Sequence, residues 1–309
     1  MPKVVIVMGF NASGKSTLVK EFTDAGYFRI NRDEIGGTID GQAEHARVAL
    51  AKGKDVVLDN TYPTVESRKS IIAAAKSAKA PITCVWLGTE FEDAQLNACL
   101  RMVAKHGRLV QPEEFKSIKD PNTFPPAALF NYRKIFEKPT VAEGFESVDK
   151  RDFVRKWPTD HTNKAIFLDY DGTLRVSVGK EEWPEDPADV KILPGRKEVL
   201  QTYIDKGYRL LGVSNQSAIA KGLSTQKVID CFKKTNDLLG LDIEYMFCPH
   251  KIPPVTCYCR KPHPGMGALF ISKYKLNPAE CIMVGDQTTD ETFAERCGFQ
   301  YRDAELFFD

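Results

Sequence analysis

The sequence predicts an α/β protein built from two different units, and three observations support this prediction. The chain has 309 residues, enough for two domains of roughly 150 residues each. In both halves, short apolar runs alternate with stretches of helical length, which is typical of βαβ units around a parallel sheet. Between the halves, residues 155–164 are polar and contain a proline. We therefore place one domain at 1–155 and the other at 156–309.

The first half begins the alternation with an apolar run directly after the N-terminus. Apolar runs bounded by turn residues predict strands, and the longer stretches between them predict helices. Between 106 and 128, one glycine and four prolines interrupt the chain, so we expect weaker regular structure there. The predicted strands are 3–8, 55–59 and 82–87, and the predicted helices are 15–25, 40–52, 64–79 and 91–105.

The second half continues the alternation, and no internal repeat relates it to the first. It therefore predicts a second, independent α/β unit with its own parallel sheet. The predicted strands are 165–169, 208–213, 243–247 and 281–285, and the predicted helices are 195–206, 217–239, 265–275 and 288–297.

The composition is ordinary for soluble globular protein, with 42% hydrophobic and 28% charged residues. No apolar run approaches the roughly 20 residues needed to cross a bilayer, and no signal peptide is recognisable. We therefore expect a cytoplasmic protein, or a nuclear one in a eukaryote, with reduced thiols and no membrane partner. The net charge of +1 excludes a global basic field, so a nucleic-acid substrate would need a local groove. Arg101, Lys105 and Arg108 could line one, or form a solvated helix face.

A glycine-rich segment follows the first predicted strand and opens the first predicted helix. It reads Gly9-Phe10-Asn11-Ala12-Ser13-Gly14-Lys15-Ser16. In this setting backbone N–H groups surround a phosphate, and the helix N-terminus adds positive potential. Lys15 is expected to reach the β- and γ-phosphates, and the Ser16 hydroxyl to bind Mg²⁺. The predicted ATP-binding residues are Gly9, Asn11, Ala12, Ser13, Gly14, Lys15, Ser16 and Thr17.

Polar groups also follow two other apolar segments of the first half. Asp33 ends the segment 27–33, and Asp59-Asn60-Thr61 ends the predicted strand 55–59. Strand ends line the ligand crevice of an α/β sheet, so Asp33 is positioned to accept a proton from an attacking hydroxyl. A strand-end aspartate can equally be a turn former or a helix cap.

Taken together, these segments resemble the kinase domain of polynucleotide 5′-kinase/3′-phosphatase enzymes, over nearly all of residues 4–148. The resemblance implies that Asp33 is the general base on a 5′-hydroxyl. It also implies that a lid arginine, either Arg101 or Arg108, stabilises the transferring phosphoryl group. Phage members of the family carry an arginine at the position that is Gly36 here. The matching motifs are Gly9-Phe10, Gly14-Lys15-Ser16-Thr17, Gly26-Tyr27, Asn31-Arg32-Asp33, Asp59-Asn60-Thr61, Ser67-Arg68, Tyr132-Arg133-Lys134, Phe136-Glu137, Pro139-Thr140 and Glu143-Gly144-Phe145.

The second half opens with Asp169-Tyr170-Asp171-Gly172-Thr173 directly after an apolar strand. This motif resembles the nucleophile motif of haloacid-dehalogenase-like (HAD) phosphatases with a Rossmann-like fold. The resemblance implies that Asp169 attacks phosphorus and forms an aspartyl phosphate. Asp171, two residues later on the same side of an extended backbone, protonates the leaving alcohol and then activates water.

The later motifs of the HAD family follow in order. Ser214 ends a predicted strand, Lys261 lies in Arg-Lys-Pro, and Asp286 lies in Gly-Asp-Gln. The resemblance implies that Mg²⁺ binds Asp169, the Asp171 carbonyl and Asp286, with support from Asp290. The segments between these motifs leave no room for a cap domain, which predicts a capless, open site that admits a polymer end or a small phosphate.

A cysteine loop lies between the serine and lysine motifs. It contributes Cys248, His250, Cys257 and Cys259. Three thiolates and one imidazole are a ligand set for tetrahedral structural Zn²⁺, although four unrelated buried residues are the alternative. The loop resembles the zinc loop of histidinol-phosphate and heptose-bisphosphate phosphatases. We expect Zn²⁺ to hold the segment that presents Lys261 and to take no part in the chemistry.

These observations leave three functional hypotheses. The first is a bifunctional end-healing enzyme that acts on DNA or RNA ends with ATP and prepares them for a nucleic-acid ligase. The second is a metabolite kinase fused to a sugar-phosphate or histidinol-phosphate-type phosphatase. The third is a nucleotide-gated scaffold with silent sites, which the presence of every expected catalytic residue disfavours.

Overall fold

The computed structural model describes residues 1–254 and 256–309, and these form two compact units. The first unit comprises Met1–Ala98 and Lys119–Arg155, and the second comprises Cys99–Ile118 and Lys156–Asp309. Each unit contains its own five-stranded sheet, so the predicted α/β class is confirmed. The domain bounds 1–155 and 156–309 stay a prediction.

The first unit is built on a sheet in which every pair of neighbouring strands is parallel. The strand order is β2-β3-β1-β4-β5, and the central strand β1 is buried along its whole length. The strands are β1 (Val4–Met8), β2 (Phe28–Asn31), β3 (Val56–Asp59), β4 (Ile82–Leu87) and β5 (Ser147–Arg151). The helices are α1 (Lys15–Asp24), α2 (Arg32–Ile35), α3 (Ile39–Ala51), α4 (Val65–Ser77), α5 (Phe91–His106) and α6 (Pro126–Ile135).

A buried ion pair fixes α4 against the end of the first unit. The Arg68 guanidinium donates to both carboxylate oxygens of Glu143, at 2.7 and 2.9 Å, and to the Tyr62 carbonyl at 2.9 Å. Arg68 is fully buried, so loss of either partner would leave an uncompensated charge. The helix begins with a capping box between Thr64 and Ser67, which satisfies N–H groups that its first turn leaves unpaired.

The second unit carries a parallel sheet in the order β10-β9-β6-β11-β12, and a separate antiparallel hairpin. The sheet strands are β6 (Ala165–Leu168), β9 (Arg209–Asn215), β10 (Glu244–Cys248), β11 (Ile282–Gly285) and β12 (Gln300–Asp303), and the hairpin strands are β7 (Arg175–Ser177) and β8 (Val190–Ile192). The helices are α7 (Arg196–Asp205), α8 (Thr225–Leu239), α9 (Gly265–Tyr274), α10 (Thr288–Cys297) and α11 (Ala304–Phe308).

Five of the described strands were absent from the sequence prediction, namely the hairpin strands β7 and β8 and three strands at sheet edges. The missed edge strands are β2, β5 and β12, and each exposes part of its side-chain surface. Edge strands lack the continuous apolar run that marks a strand buried on both faces, so the pattern was too weak to predict them. Helix α6 was also missed, because prolines precede and open it. The predicted helix 217–239 is shorter than expected and begins at Thr225.

The predicted absence of a cap domain agrees with the structure in its described residues. Only the β7–β8 hairpin lies between β6 and α7, and one helix, one strand and a loop lie between β9 and Lys261. Over the same described residues, no helix combines the length and the apolar character needed to cross a membrane.

Candidate active sites

The glycine-rich loop joins β1 to α1 in the geometry that phosphate binding needs. Gly14 caps the helix at φ 97°, and Gly9 leaves the strand at φ 150°, where a side chain would be strained. The Lys15 ammonium donates to the carbonyls of Gly9 and Phe10 at 3.1 and 2.5 Å. Ser13 Oγ is buried and has no hydrogen-bond partner among the described atoms. An orphaned buried hydroxyl in a glycine-rich loop at a helix N-terminus fits a phosphate ligand.

The remaining predicted nucleotide ligands lie on the same loop and helix start. Ser16 and Thr17 are exposed in the first turn of α1, and Asn11 is half-buried. The Ala12 residue has φ 60°, a conformation that aims successive N–H groups to one side of the loop. The loop can therefore hold a triphosphate, with the Ser16 hydroxyl open to a metal ion that accompanies it.

Two carboxylates lie at the carboxyl ends of strands in the same sheet, as the glycine-rich loop does. Asp59 is 3% exposed and accepts hydrogen bonds from Arg29 at 2.5 Å and from Asn31 at 3.1 Å. Asp33 stands in the first turn of α2, where its N–H is capped by the Asn31 side chain at 2.8 Å and its carboxylate is exposed. Asp59 is therefore paired within the protein, whereas the exposed Asp33 carboxylate can be reached by a substrate that accepts the phosphoryl group.

The two lid candidates lie in the part of the chain that groups with the second unit. Arg101 is half-buried on α5. Arg108 donates two hydrogen bonds to Glu114, at 2.6 and 2.5 Å, and this pairing lowers the pKa of Glu114 to about 2. The Arg108 guanidinium is therefore engaged by a neighbouring carboxylate. The choice between the two arginines stays a prediction.

The predicted phosphatase residues converge at the carboxyl ends of β6, β9 and β11. Lys261 is buried, and its ammonium lies 2.6 Å from Asp169 Oδ1 and 2.6 Å from Asp290 Oδ1. Burial raises the pKa of Asp169 to about 7, against the opposing effect of the Lys261 ammonium. A buried carboxylate whose pKa is raised needs additional positive charge to stay ionised.

A group of three carboxylates supplies a place for that charge. Oxygen atoms of Asp169, Asp286 and Asp290 all lie within 4.8 Å of one another. Gly172 has φ 85°, and a Cβ there would come within 2.3 Å of the Asp286 carboxylate. The motif glycine therefore makes room for Asp286 beside the nucleophile. Carboxylate oxygens are the ligands that Mg²⁺ prefers, so the three residues fit that ion.

Asp171 is held at both of its carboxylate oxygens. Arg175 Nε donates to Oδ1 at 2.7 Å, and Gln216 Nε2 donates to Oδ2 at 2.7 Å. The same Gln216 nitrogen donates to Ser214 Oγ at 2.9 Å, which links two predicted site residues. The sequence prediction named neither Arg175 nor Gln216. Arg175 lies beyond the recognised motif, and nothing local in the sequence marks it as a partner of Asp171.

The cysteine loop gathers its four predicted ligands. The Cys248 thiol lies 3.4 Å from His250 Nδ1 and 3.6 Å from the Cys257 sulfur, and Cys259 lies 3.2 Å from His250 Nδ1. A tetrahedral ion with Zn–S bonds of about 2.3 Å separates its ligand atoms by about 3.8 Å. The observed distances between ligand atoms are close to this separation, and none of the four residues forms a disulfide. The cluster therefore fits Zn²⁺.

The loop that carries Lys261 is attached to β9 by a reciprocal pair of hydrogen bonds. Asn215 Nδ2 donates to the Lys261 carbonyl, and the Lys261 N–H donates to Asn215 Oδ1, each at 3.0 Å. A metal ion in the adjacent cysteine cluster would restrain the same loop from its other side. This arrangement agrees with the expectation that the cluster positions Lys261.

Comparison with known protein families supports both halves of the chain. A family described as an AAA domain matches residues 4–98, and a family described as HAD-hydrolase-like matches residues 258–301. The first match covers the glycine-rich loop and Asp33, and the second covers Lys261, Asp286 and Asp290. The chain thus joins a P-loop kinase domain to a HAD-like phosphatase domain, and it is an enzyme with kinase and phosphatase activity. These two domains imply ATP and Mg²⁺.

Curated relatives resemble parts of the chain at moderate identity. A probable D-glycero-D-manno-heptose-1,7-bisphosphate 7-phosphatase of Thermoplasma volcanium is 35% identical over 145 residues, which are 45% of this chain and 97% of the relative. A bifunctional polynucleotide phosphatase/kinase of Schizosaccharomyces pombe is 36% identical over 152 residues, 49% of this chain but only 34% of the relative.

Among solved structures, the Pnkp1/Rnl/Hen1 RNA repair complex aligns with 98% of this chain and 95% of its own matching chain. The identity is 16% and the TM-score is 0.32, which is too low to support an argument about fold or function.

Proposed function

Because the chain belongs, through its phosphatase portion, to the HAD-like phosphatase family and joins that portion to a P-loop kinase domain, we propose that it heals nucleic-acid ends. The kinase domain, residues 1–155, transfers the γ-phosphate of ATP to a 5′-hydroxyl. The phosphatase domain, residues 156–309, hydrolyses a 3′-phosphate. The resulting 5′-phosphate and 3′-hydroxyl are the ends that a nucleic-acid ligase joins, so a ligase is the partner that consumes the product.

The single observation that supports a polynucleotide substrate is the pairing of these two chemistries in one chain. The motifs shared with polynucleotide kinases extend across residues 4–148, well beyond the phosphate loop. The 36% identity with a bifunctional polynucleotide phosphatase/kinase supports the same reading. The exposure of Asp33 and the lack of a cap domain in the described part of the phosphatase both suit a bulky strand terminus.

In the kinase reaction, Asp33 takes the proton from the 5′-hydroxyl, whose oxygen then attacks the γ-phosphorus as ADP leaves. Lys15 moves from its loop carbonyls to the β- and γ-phosphates, and Arg101 or Arg108 adds positive charge to the transferring group. Ser16 would hold Mg²⁺, which would neutralise phosphate charge.

In the phosphatase reaction, an Asp169 oxygen attacks phosphorus and the bond to the leaving oxygen breaks. Asp171 gives that oxygen its proton, so the product is an alcohol. Asp171 then takes a proton from water, and the water oxygen displaces Asp169 from phosphorus. Ser214 and Lys261 bind the phosphate oxygens. Asp169, Asp286 and the Asp171 carbonyl would hold Mg²⁺, which would supply further positive charge.

A second candidate function is a metabolite kinase fused to a sugar-phosphate phosphatase. The 35% identity with a heptose-bisphosphate phosphatase favours it, and so does the net charge of only +1. The β7–β8 hairpin, which borders the phosphatase motif, also carries Glu181, Glu182 and Glu185, a charge that opposes a polyanion.

The proposed function is tested with two labelled oligonucleotides and one metabolite. End healing predicts transfer of ³²P from γ-labelled ATP to a 5′-hydroxyl oligonucleotide, and release of phosphate from a 3′-phosphate oligonucleotide. The metabolite function predicts turnover of heptose bisphosphate or histidinol phosphate while both oligonucleotides stay unchanged. The matched controls are Asp33→Asn and Asp169→Asn, which remove one reaction each if the assigned residues are right.

A further inference from the structure

The strand that leaves the phosphatase motif carries a buried arginine without an assigned role. Arg175 begins β7, six residues after Asp169, and its side chain is 1% exposed. Its Nε lies 2.7 Å from Asp171 Oδ1, an ion pair in which the carboxylate side chain is itself only 11% exposed. A charge-assisted hydrogen bond in so dry a setting orients its acceptor strongly.

The guanidinium is held in place from several directions. Its NH1 donates to Thr235 Oγ1 at 2.9 Å, and that hydroxyl donates in turn to the Cys231 carbonyl at 2.7 Å. The cation lies over the rings of Tyr170 and Phe232, at 5.3 and 4.8 Å from their centroids. Arg175 is therefore a fixed reference point, because its own rotamer is set by helix α8 and by packing.

The two oxygens of Asp171 occupy different environments. Oδ1 accepts from the buried cation, while Oδ2 accepts from Gln216, whose nitrogen also donates to Ser214 Oγ. Ser214 is the residue predicted to bind the substrate phosphate. Oδ2 therefore lies on the side of Ser214, and Oδ1 is paired with the buried cation.

We propose that Arg175 is a positioning residue for Asp171, which it orients so that Oδ2 alone exchanges the proton. The proposal rests on the role of Asp171 in the proposed phosphatase reaction. When Asp169 forms its bond to phosphorus, the bond to the leaving oxygen breaks and Oδ2 releases its proton to that oxygen. In the second step Oδ2 takes a proton from water as the water oxygen attacks phosphorus and the Asp169–phosphorus bond breaks.

This role makes a prediction that a purely structural role does not. A leaving group that is stable as an anion departs without a proton, whereas a poor leaving group needs the positioned acid. Loss of Arg175 should therefore impair hydrolysis of phenyl phosphate far more than hydrolysis of p-nitrophenyl phosphate. The quantity to compare is kcat/KM, because it reports the steps up to departure of the leaving group.

The experiment measures kcat/KM on both esters for the full chain and for Arg175→Met. We expect a loss of roughly 10²-fold on phenyl phosphate and of less than about tenfold on p-nitrophenyl phosphate. Arg175→Lys keeps the charge and should restore part of the phenyl phosphate activity. The matched control is Arg196→Met, since Arg196 donates to the Thr173 carbonyl of the same loop at 3.0 Å without touching Asp171.

Equal losses on both esters in Arg175→Met would overturn the proposal, as would an Arg196→Met variant with the same selectivity change. If Arg175→Met does not fold, Arg175→Lys decides the question by the same ratio of the two esters. Failure of the proposed function has a different signature. In that case the unaltered chain would leave the 3′-phosphate oligonucleotide unhydrolysed, whatever the ratio of the two esters.

Discussion

At the scale of single residues, the kinase half shows how neighbouring carboxylates acquire different roles. Asp33 and Asp59 both stand at the carboxyl ends of strands of one sheet, and the resemblance to polynucleotide kinases favoured Asp33 as the base. The structure pairs Asp59 with Arg29 and Asn31 and leaves Asp33 exposed. A carboxylate committed to two internal donors is a poor proton acceptor for an incoming hydroxyl, so Asp33 is the better candidate for the base.

Substitution of these two aspartates should separate catalysis from stability. Asp33→Asn should lower the kinase kcat by about 10²- to 10⁴-fold with little change in stability, because it removes a general base from an exposed site. Asp59→Asn should instead lower the free energy of unfolding by about 1–3 kcal/mol, because it leaves Arg29 without its buried partner. Urea unfolding and ³²P transfer measure the two effects. The reverse pattern would exchange the two assignments.

A histidine beside the phosphatase site predicts how stability depends on pH. His263 is 3% exposed, and burial lowers its pKa to about 4. In the unfolded chain it titrates near its ordinary value of about 6.5, so between these values the unfolded state binds a proton that the folded state does not. Stability therefore falls as the pH drops from about 6.5 towards 4.

The expected size of this effect is about 2 kcal/mol between pH 7.5 and pH 5. Urea unfolding of the unaltered chain and of His263→Gln at the two pH values measures it. The loss on acidification should be smaller in His263→Gln by about that amount. The same loss in both proteins would mean that other groups account for the pH dependence.

At the scale of elements, we expect the cysteine loop to restrain the segment that carries Lys261. The cluster and the Asn215 hydrogen bonds hold the residues around Lys261 from two sides. A structural metal contributes directly to folding free energy, so its loss should loosen this loop before it affects the first unit.

Elemental analysis should find one zinc ion per chain, and Cys257→Ser should lose it. We expect Cys257→Ser to lower the thermal stability of the phosphatase half and its turnover, while kinase activity is retained. The matched control is Cys281→Ser, since Cys281 is buried in the same unit but lies outside the cluster and donates to the Asn277 carbonyl. Full zinc content and stability in Cys257→Ser would contradict a metal role for the cluster.

Strands that are fully buried were predicted from the sequence more accurately than exposed ones. The central strands β1, β6 and β11 are buried at every residue, and the sequence predicted each of them to within a residue or two. The edge strand β10 was predicted, but the edge strands β2, β5 and β12 were missed because many of their side chains meet water and their residues are mixed in polarity. An edge strand is defined by its partner strand, which a local pattern does not contain.

At the scale of the whole molecule, two phosphate chemistries share one chain without sharing residues. The proposed kinase residues Lys15, Ser16 and Asp33 belong to the first unit, whereas the lid candidates Arg101 and Arg108 and the proposed phosphatase residues group with the second. A substitution can therefore abolish one reaction and leave the other intact. This independence is a property of the proposed function, and it can be measured.

Complementation between two variants that each lack one activity tests it. Asp33→Asn should remove a 3′-phosphate but not phosphorylate a 5′-hydroxyl, and Asp169→Asn should do the opposite. A mixture of the two should convert an oligonucleotide with a 5′-hydroxyl and a 3′-phosphate completely. If the mixture stays deficient while each variant keeps its remaining activity, the two reactions require one intact chain.

The sequence by itself determined the chemistry of both halves, because each motif places its reactive groups within a few consecutive residues. The glycine-rich loop, the Asp169-to-Thr173 motif and the cysteine loop were all identified in this way. Only the tertiary structure decided which carboxylate stays open, and that Arg175 and Gln216 hold the two oxygens of Asp171. These pairings join residues up to 45 positions apart, and they depend on burial and orientation that local patterns do not encode.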